Sequence, residues 1–157
     1  MIRTAAPADV PDIHAMIREL AEYEGSLDQV VATEEDLRAS LFGPAPAVFA
    51  LVAEHEAAVA GFALWFPNYS TWTGRGGIYL EDLYVTPQQR RHGFGRALLA
   101  ELARICVERG YARFEWSVLD WNEPAIAFYR SLGATMMTDW RVMRVTGETL
   151  GALADAR

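Results

Sequence analysis

The residues with the clearest chemical capacity lie in one stretch, Val85-Thr86-Pro87-Gln88-Gln89-Arg90-Arg91-His92-Gly93-Phe94-Gly95-Arg96-Ala97-Leu98-Leu99. A strand-like run ends there, a proline turn follows, and two glycines two apart open a helical pattern. Glycine presents no side chain and reaches positive φ at little cost. Consecutive N–H groups can then turn outward where a helix begins with unpaired donors and a positive dipole end. That arrangement seats a phosphate-bearing ligand, with Arg90, Arg91 and Arg96 adding charge at its rim. A lone Gly-x-Gly serves equally well as a plain tight turn. The stretch is not a mononucleotide P-loop, because no Gly-Lys-Ser/Thr follows, and it lacks the third glycine of a dinucleotide fingerprint.

A second candidate is the pair Glu81-Asp82, set in the otherwise apolar run Ile78 to Val85. Two adjacent acids break strict alternation and predict a bulge or a strand end facing a cavity. Glu81, a carboxylate beside Asp82 and apolar strand residues, is the one expected to have a raised pKa, which suits proton transfer. The competing reading is an acid at a bulge paired with an arginine. The single cysteine, Cys106, falls in an apolar helical run and reads as a packing residue. Three scattered histidines and one cysteine give no support for a metal site.

The elements that must hold these residues follow from periodicity. Met1 to Ala5 reads as a short strand, and Asp9 as the cap of a helix carrying Ile13, Met16, Ile17 and Leu20 and stopped at Gly25. Thr33 and Asp36 form a capping box for a second helix closed by Gly43-Pro44. Val48 to Ala53 and Ala57 to Phe66 read as strands around a Glu54-His55-Glu56 turn, with Pro67 to Gly77 as a loop. Ile78 to Val85 is the next strand, and after the glycine stretch a long helix runs to Gly110. Phe114 to Val118 is a strand, Asn122 caps a helix stopped at Gly133, Trp140 to Val145 is a last strand, and a marginal helix begins near Thr146. The order β-αα-βββ-α-β-α-β predicts a mixed α/β (α+β) fold: a central twisted sheet of six to seven strands flanked by helices.

Bulk properties narrow the partners. At 157 residues the chain is expected to form a single domain spanning 1–157. Hydrophobic residues make up 52% and charged residues 22%, as in an ordinary globular protein. A net charge of −7 argues against general nucleic-acid binding and suits a cationic small substrate. Met1-Ile2-Arg3-Thr4 runs straight into a polar segment, so no targeting signal is expected. The apolar runs are too short to span a bilayer. With one cysteine and no such segments, a reducing, cytoplasmic setting is expected.

Several blocks together resemble a known family. Arg90-x-x-Gly93-x-Gly95 is similar to the signature of the GNAT superfamily of acetyl-CoA-dependent N-acyltransferases, and the element order agrees over nearly the whole chain. Leu20 to Glu24, Tyr79 to Val85, Arg90 to Gly95 and Trp121 to Tyr129 resemble stretches of the spermidine/spermine (diamine) N-acetyltransferase subfamily. The resemblance implies the GNAT fold, with acetyl-CoA as co-substrate, no metal and a small amine as acceptor.

It also implies roles by position. The pyrophosphate of acetyl-CoA would rest on N–H groups of Arg91, His92, Gly93, Phe94, Gly95 and Arg96, with Arg90 heading the loop. The pantetheine arm would lie in a V opened between the fourth and fifth strands, along Leu83, Tyr84 and Val85, with Asn122 and Pro124 lining the same cleft. Tyr129 would face the sulfur, and a phenol of ordinary pKa near 10 can protonate a leaving thiolate. Glu81 would receive the amine proton or anchor the cationic substrate; the two roles stay open. Tyr23, Glu24, Asp82 and Asp139 would contact the amine, while Trp65 and Trp72 would wall its pocket or pack as core aromatics. His92 needs no role of its own. A protein or peptide amine acceptor, or a non-catalytic acyl-CoA-binding module, are the alternatives to a polyamine, diamine or lysine-like substrate. A homodimer exchanging the strand Trp140 to Val145 is a further implication.

Overall fold

The computed structural model describes residues 1–156. They fall into two compact units, Met1–Leu119 and the segment from Asp120 onward.

In the first unit the chain runs β1 (Ile2–Thr4), α1 (Val10–Tyr23), α2 (Glu34–Phe42), β2 (Phe49–His55), β3 (Ala58–Ser70), β4 (Arg75–Val85), α3 (Phe94–Glu108) and β5 (Arg113–Trp116). The five strands form one sheet in chain order. The first four pair antiparallel, and β5 joins β4 in parallel through the crossover helix α3. A parallel neighbour requires such a crossover, whereas the antiparallel strands need only hairpins. The mixed sheet with covering helices is the expected fold class. It has five strands instead of six or seven.

The core follows from the helical stripes. Ile13 and Met16 of α1 and Leu41 of α2 pack with Val52, Phe62 and Leu64 of the sheet, all of them buried. In α3, Leu98, Leu99, Leu102 and Cys106 are buried on one stripe, so the cysteine is a packing residue as expected.

Helix starts are governed by local polar chemistry. At α2 the capping box forms: the Asp36 N–H donates to Thr33 Oγ1 at 3.1 Å and the Thr33 N–H donates to the Asp36 carboxylate at 2.8 Å. Asp9 behaves differently from the expected helix cap. Its side chain makes no cap bond to α1; it accepts from Arg3 Nη1 at 2.7 Å and from the Ala6 N–H at 2.7 Å. The Arg3 guanidinium holds the Asp9 carboxyl below the usual carboxylate range. The two-pronged ion pair with the Arg3 guanidinium and the bond from the Ala6 N–H occupy both carboxylate oxygens.

The expected loop Pro67 to Gly77 is instead mostly strand. β3 continues to Ser70 and β4 begins at Arg75, leaving a short turn. Gly74 serves that turn at a positive φ of 64°, whereas Gly76 and Gly77 lie within the strand and permit close packing. A Cβ on Gly77 would lie 2.6 Å from Asn68 Oδ1 and 2.8 Å from the Arg113 carbonyl oxygen. With Gly76 and Gly77 read as breakers, the strand pattern beneath them was hidden.

The second unit contains α4 (Glu123–Ser131) and α5 (Gly147–Asp155). The Ala125 N–H donates to Asn122 Oδ1 at 3.4 Å, so Asn122 is the cap as expected. The expected strand Trp140 to Val145 is absent: these residues form no regular structure and no ladder among the described residues. A strand exists only with a hydrogen-bonding neighbour, and alternation in sequence cannot supply one. Val142 and Met143 are 80% and 91% exposed.

Candidate active site

β4 changes character at Leu80. Up to that residue it pairs with β3 on one side and with β5 on the other, the last β5 pair being Leu80 with Trp116. Beyond it, Asp82 to Val85 pair with β3 alone. The side of β4 that β5 had occupied is left with backbone groups outside any ladder. The β4–β5 ladder thus ends at the place where the resemblance expects the V between the fourth and fifth strands.

The break coincides with the two acids. On β3, Leu64 pairs with Asp82 and Trp65 with Leu80, so Glu81 has no cross-strand partner. This is the bulge that the adjacent acids predict. It leaves Glu81 exposed and turns Asp82 partly inward. Burial pushes the Asp82 carboxyl up to about 6, with the charges of Glu81 and Glu24 adding to the effect. Glu24, just past the end of α1, is itself raised by burial. Helix α1 thus brings Glu24 toward the acids of β4, and Tyr23, next to it, is 51% exposed. Like charges in a partly desolvated site favour keeping one proton among them.

From Val85 the chain passes through a 3-10 turn, Pro87–Gln89, into the glycine loop. Arg91 and Gly93 both take left-handed conformations, with φ of 74° and 77°. Gly93 is the N-cap of α3 and makes no side-chain cap bond, and a Cβ there would meet nothing within 4 Å. Gly93 thus offers no side-chain acceptor to the first-turn N–H groups of Phe94, Gly95 and Arg96. The His92 Nδ1–H donates to the Gln89 carbonyl at 3.1 Å, and its ring lies 5.3 Å from that of His55 and 5.8 Å from that of Phe94.

A family model described as the Acetyltransferase (GNAT) family matches residues 13–134. The chain belongs to the GNAT family. A pig thialysine N-epsilon-acetyltransferase is 42% identical over 98% of this chain and 96% of its own length. An L-ornithine N5-acetyltransferase from Arabidopsis thaliana is 34% identical over 97% of this chain and 86% of its own. Among solved structures, an integron cassette protein from V. cholerae superposes with a TM-score of 0.82 at 27% identity, covering 99% of this chain and 98% of that one. This GNAT chain is an N-acetyltransferase, and its relatives act on small amines.

GNAT enzymes use acetyl-CoA as the acetyl donor, and the loop suits that ligand. An uncapped helix N-terminus, an open approach at Gly93 and the exposed Arg91 and Arg96 are what a pyrophosphate requires. The other expected residues of this GNAT chain are distributed as follows. Leu83 and Val85 lie on the unpaired side of the break in β4, and the Tyr84 ring is buried. In the second unit, Pro124 lies in the first turn of α4. Tyr129 is half-buried on the same helix, its ring 5.5 Å from that of Phe128, and Asp139 is exposed in a turn. Trp65 is a core aromatic, 3% exposed. Trp72 is exposed at the β3–β4 turn, under Arg113 at 5.9 Å.

Two features escaped the sequence. An open cleft of about 500 Å³ runs beside α1 and α2, lined by His14, Arg18, Glu19, Glu22 and Glu34 among others. The Tyr84 hydroxyl donates to Glu19 at 2.9 Å. These residues are 65 positions apart, and only the helix-on-sheet packing joins them. Among the described residues no group of three or more His, Cys, Asp or Glu is placed to hold a metal ion, and no helix is long and apolar enough to cross a membrane.

Proposed function

We propose that the protein transfers an acetyl group from acetyl-CoA to the terminal primary amine of a small cationic molecule, and that its two units work as one GNAT domain. The observation that carries this reading is Asp82, raised to about 6 at a strand bulge beside Glu24 and Glu81. A carboxyl near neutrality both attracts an ammonium group and accepts its proton at working pH. The names of the relatives favour the side-chain amine of a basic amino acid such as thialysine or ornithine, with diamines and polyamines as the neighbouring class.

The chemistry is direct attack in a ternary complex. The amine reaches the pocket as a cation, held by Glu24, Glu81 and Asp82 with Tyr23 beside them and Asp139 as a further contact. Asp82, or Glu81 through water, takes its proton. The freed lone pair forms the C–N bond at the thioester carbonyl, and the C–S bond breaks. The electron pair leaves on sulfur, Tyr129 supplies the proton that neutralises it, the role its resemblance implies, and the second proton shed by the acylated nitrogen restores the Tyr129 phenol through water. The loop from Arg90 to Arg96 holds the pyrophosphate, the free side of Leu83 to Val85 pairs with the pantetheine amides, and Asn122 and Pro124 border the arm.

The second unit supports association. Trp140, Val142 and Met143 are 65%, 80% and 91% exposed in a segment without regular structure. An apolar run of this kind is suited to an interface, and a homodimer in the cytoplasm completes the reading.

The deciding experiment follows CoA release from acetyl-CoA with thialysine, lysine, ornithine, putrescine, spermidine and an aminoglycoside side by side. Turnover with a basic amino acid or polyamine is expected. Binding of acetyl-CoA with no CoA released from any amine would leave only a non-catalytic acyl-CoA module. Turnover confined to peptide lysines would move the acceptor to proteins. Tyr129→Phe is expected to lower kcat about 10- to 100-fold, with little change in either KM.

A further inference from the structure

Arg90 heads the glycine loop, and its sequence position suggests a charge directed at a phosphate. The structure gives its guanidinium other contacts. Arg90 Nε donates to the Val85 carbonyl at 3.1 Å, closing the corner between the end of β4 and the loop. The guanidinium carbon stands 5.6 Å from the centroid of the Tyr84 ring, within cation–π range. Tyr84 is 8% exposed, and its hydroxyl donates to Glu19 on α1 at 2.9 Å. One continuous chain of contacts therefore runs from α1 through the last strand residues into the loop.

Each link strengthens the next. A phenol that donates to a carboxylate moves toward phenolate character, which enriches its ring and deepens the attraction for a cation on its face. The ring in turn holds the guanidinium plane, so that Nε stays aimed at the Val85 carbonyl. That bond spans the residues where the backbone must leave strand geometry and reach the left-handed Arg91 and Gly93. Arg91 has no glycine's freedom there, and a non-glycine residue in that region needs support from its surroundings.

We infer that Glu19, Tyr84 and Arg90 form a brace that holds the phosphate loop in its binding conformation, with Arg90 serving as a positioning residue through shape and stacking. Arg91 and Arg96, both exposed, supply the charge that meets the ligand. The inference rests on the acetyl-CoA reading above and deepens it. It assigns roles to Glu19 and to the Tyr84 side chain, and it changes the role of Arg90.

Lysine separates a brace from a point charge. It keeps the charge but has neither the planar face nor an Nε–H to give the Val85 carbonyl. The test measures KM and kcat for Arg90→Lys, Tyr84→Leu, Tyr84→Phe and the Tyr84→Leu/Arg90→Lys double variant. Two donors are used: acetyl-CoA, and S-acetyl-pantetheine, which has no pyrophosphate. With acetyl-CoA, Arg90→Lys and Tyr84→Leu are each expected to raise the donor KM about 5- to 20-fold, and Tyr84→Phe about 2- to 4-fold. The double variant should be no worse than the poorer single one, because both remove the same brace. With S-acetyl-pantetheine the rise in donor KM should be several-fold smaller than with acetyl-CoA for each variant.

Wild-type acetyl-CoA kinetics for Arg90→Lys would overturn the brace and make Arg90 a point charge. An equal rise with both donors would overturn it too, showing a general disturbance of β4. Arg90 is exposed, so Arg90→Lys reports even if a Tyr84 variant folds poorly. If the wild-type protein turns over neither donor with any amine, the functional reading itself fails. That result is distinct from normal turnover with a brace that has no effect.

Discussion

The two halves of β4 are one continuous strand with opposite duties. Arg75 to Leu80 is paired with β3 throughout and with β5 from Gly77 to Leu80, and Ile78 and Leu80 are 0% and 2% exposed. Gly76 admits the Tyr111 ring and Gly77 the Arg113 backbone so closely that a Cβ would collide. Glu81 to Val85 has lost β5, carries a bulge and two acids, and ends at an open helix N-terminus. The first half completes the sheet and gains stability from doing so. The second half leaves the sheet incomplete, and the unused backbone groups and crowded carboxylates are what a substrate can engage. Here the binding capacity of the sheet begins where its pairing stops.

This contrast can be broken experimentally. The largest effect belongs to the open half: Asp82→Asn is expected to lower kcat about 10²- to 10⁴-fold, and to remove the rise of kcat/KM through pH 6 that the raised carboxyl gives the wild type. Stopped or steady-state assays of CoA release between pH 5 and 8.5 check both. In the closed half, Gly77→Val should cost about 1–3 kcal/mol of stability by overpacking, read as a lower Tm, while kcat of the folded fraction holds. A Gly77→Val enzyme with normal Tm and lost kcat would erase the distinction between the halves.

The stability of Asp82→Asn sharpens it further. The folded pKa of Asp82, about 6, lies above its ordinary 3.8. Its contribution to stability is therefore whole below the ordinary value and is lost as pH rises through about 6. Asp82→Asn should accordingly gain about 1–3 kcal/mol at pH 7.5 and nothing at pH 4, measured by urea melts at the two pH values. The residue that costs activity when removed would be one that costs stability when kept.

Gly93→Ala should act more mildly, raising the acetyl-CoA KM several-fold, since a left-handed non-glycine residue costs about 1 kcal/mol and the space around it is empty. The smallest effect is expected far from the break. Thr33→Ala removes the α2 capping box at about 0.5–1 kcal/mol, lowering Tm with unaltered kinetics.

The parts of this protein legible in sequence are those set by neighbours along the chain. The glycine stretch, the Thr33-Asp36 box, the Asn122 cap, the buried stripe of α3 and the Glu81-Asp82 bulge each depend on spacing of a few residues, and each stands where periodicity placed it. Family membership was legible for the same reason, because its blocks are short and local. Errors arose where a residue's meaning depends on a distant partner. Gly76 and Gly77 read as breakers until Tyr111 and Arg113 came beside them, and Asp9 read as a cap until Arg3 claimed it. Trp140 to Val145 read as a strand with no neighbour to pair it. Only the tertiary structure joined Glu19 to Tyr84 and Tyr84 to Arg90, and only it brought Glu24 toward the charges that, with burial, raise Asp82. Caps, turns and stripes are local physics, complete within a few residues of chain. Desolvation, stacking and charge crowding depend on distances through space, and those exist only once the sheet and its helices have packed.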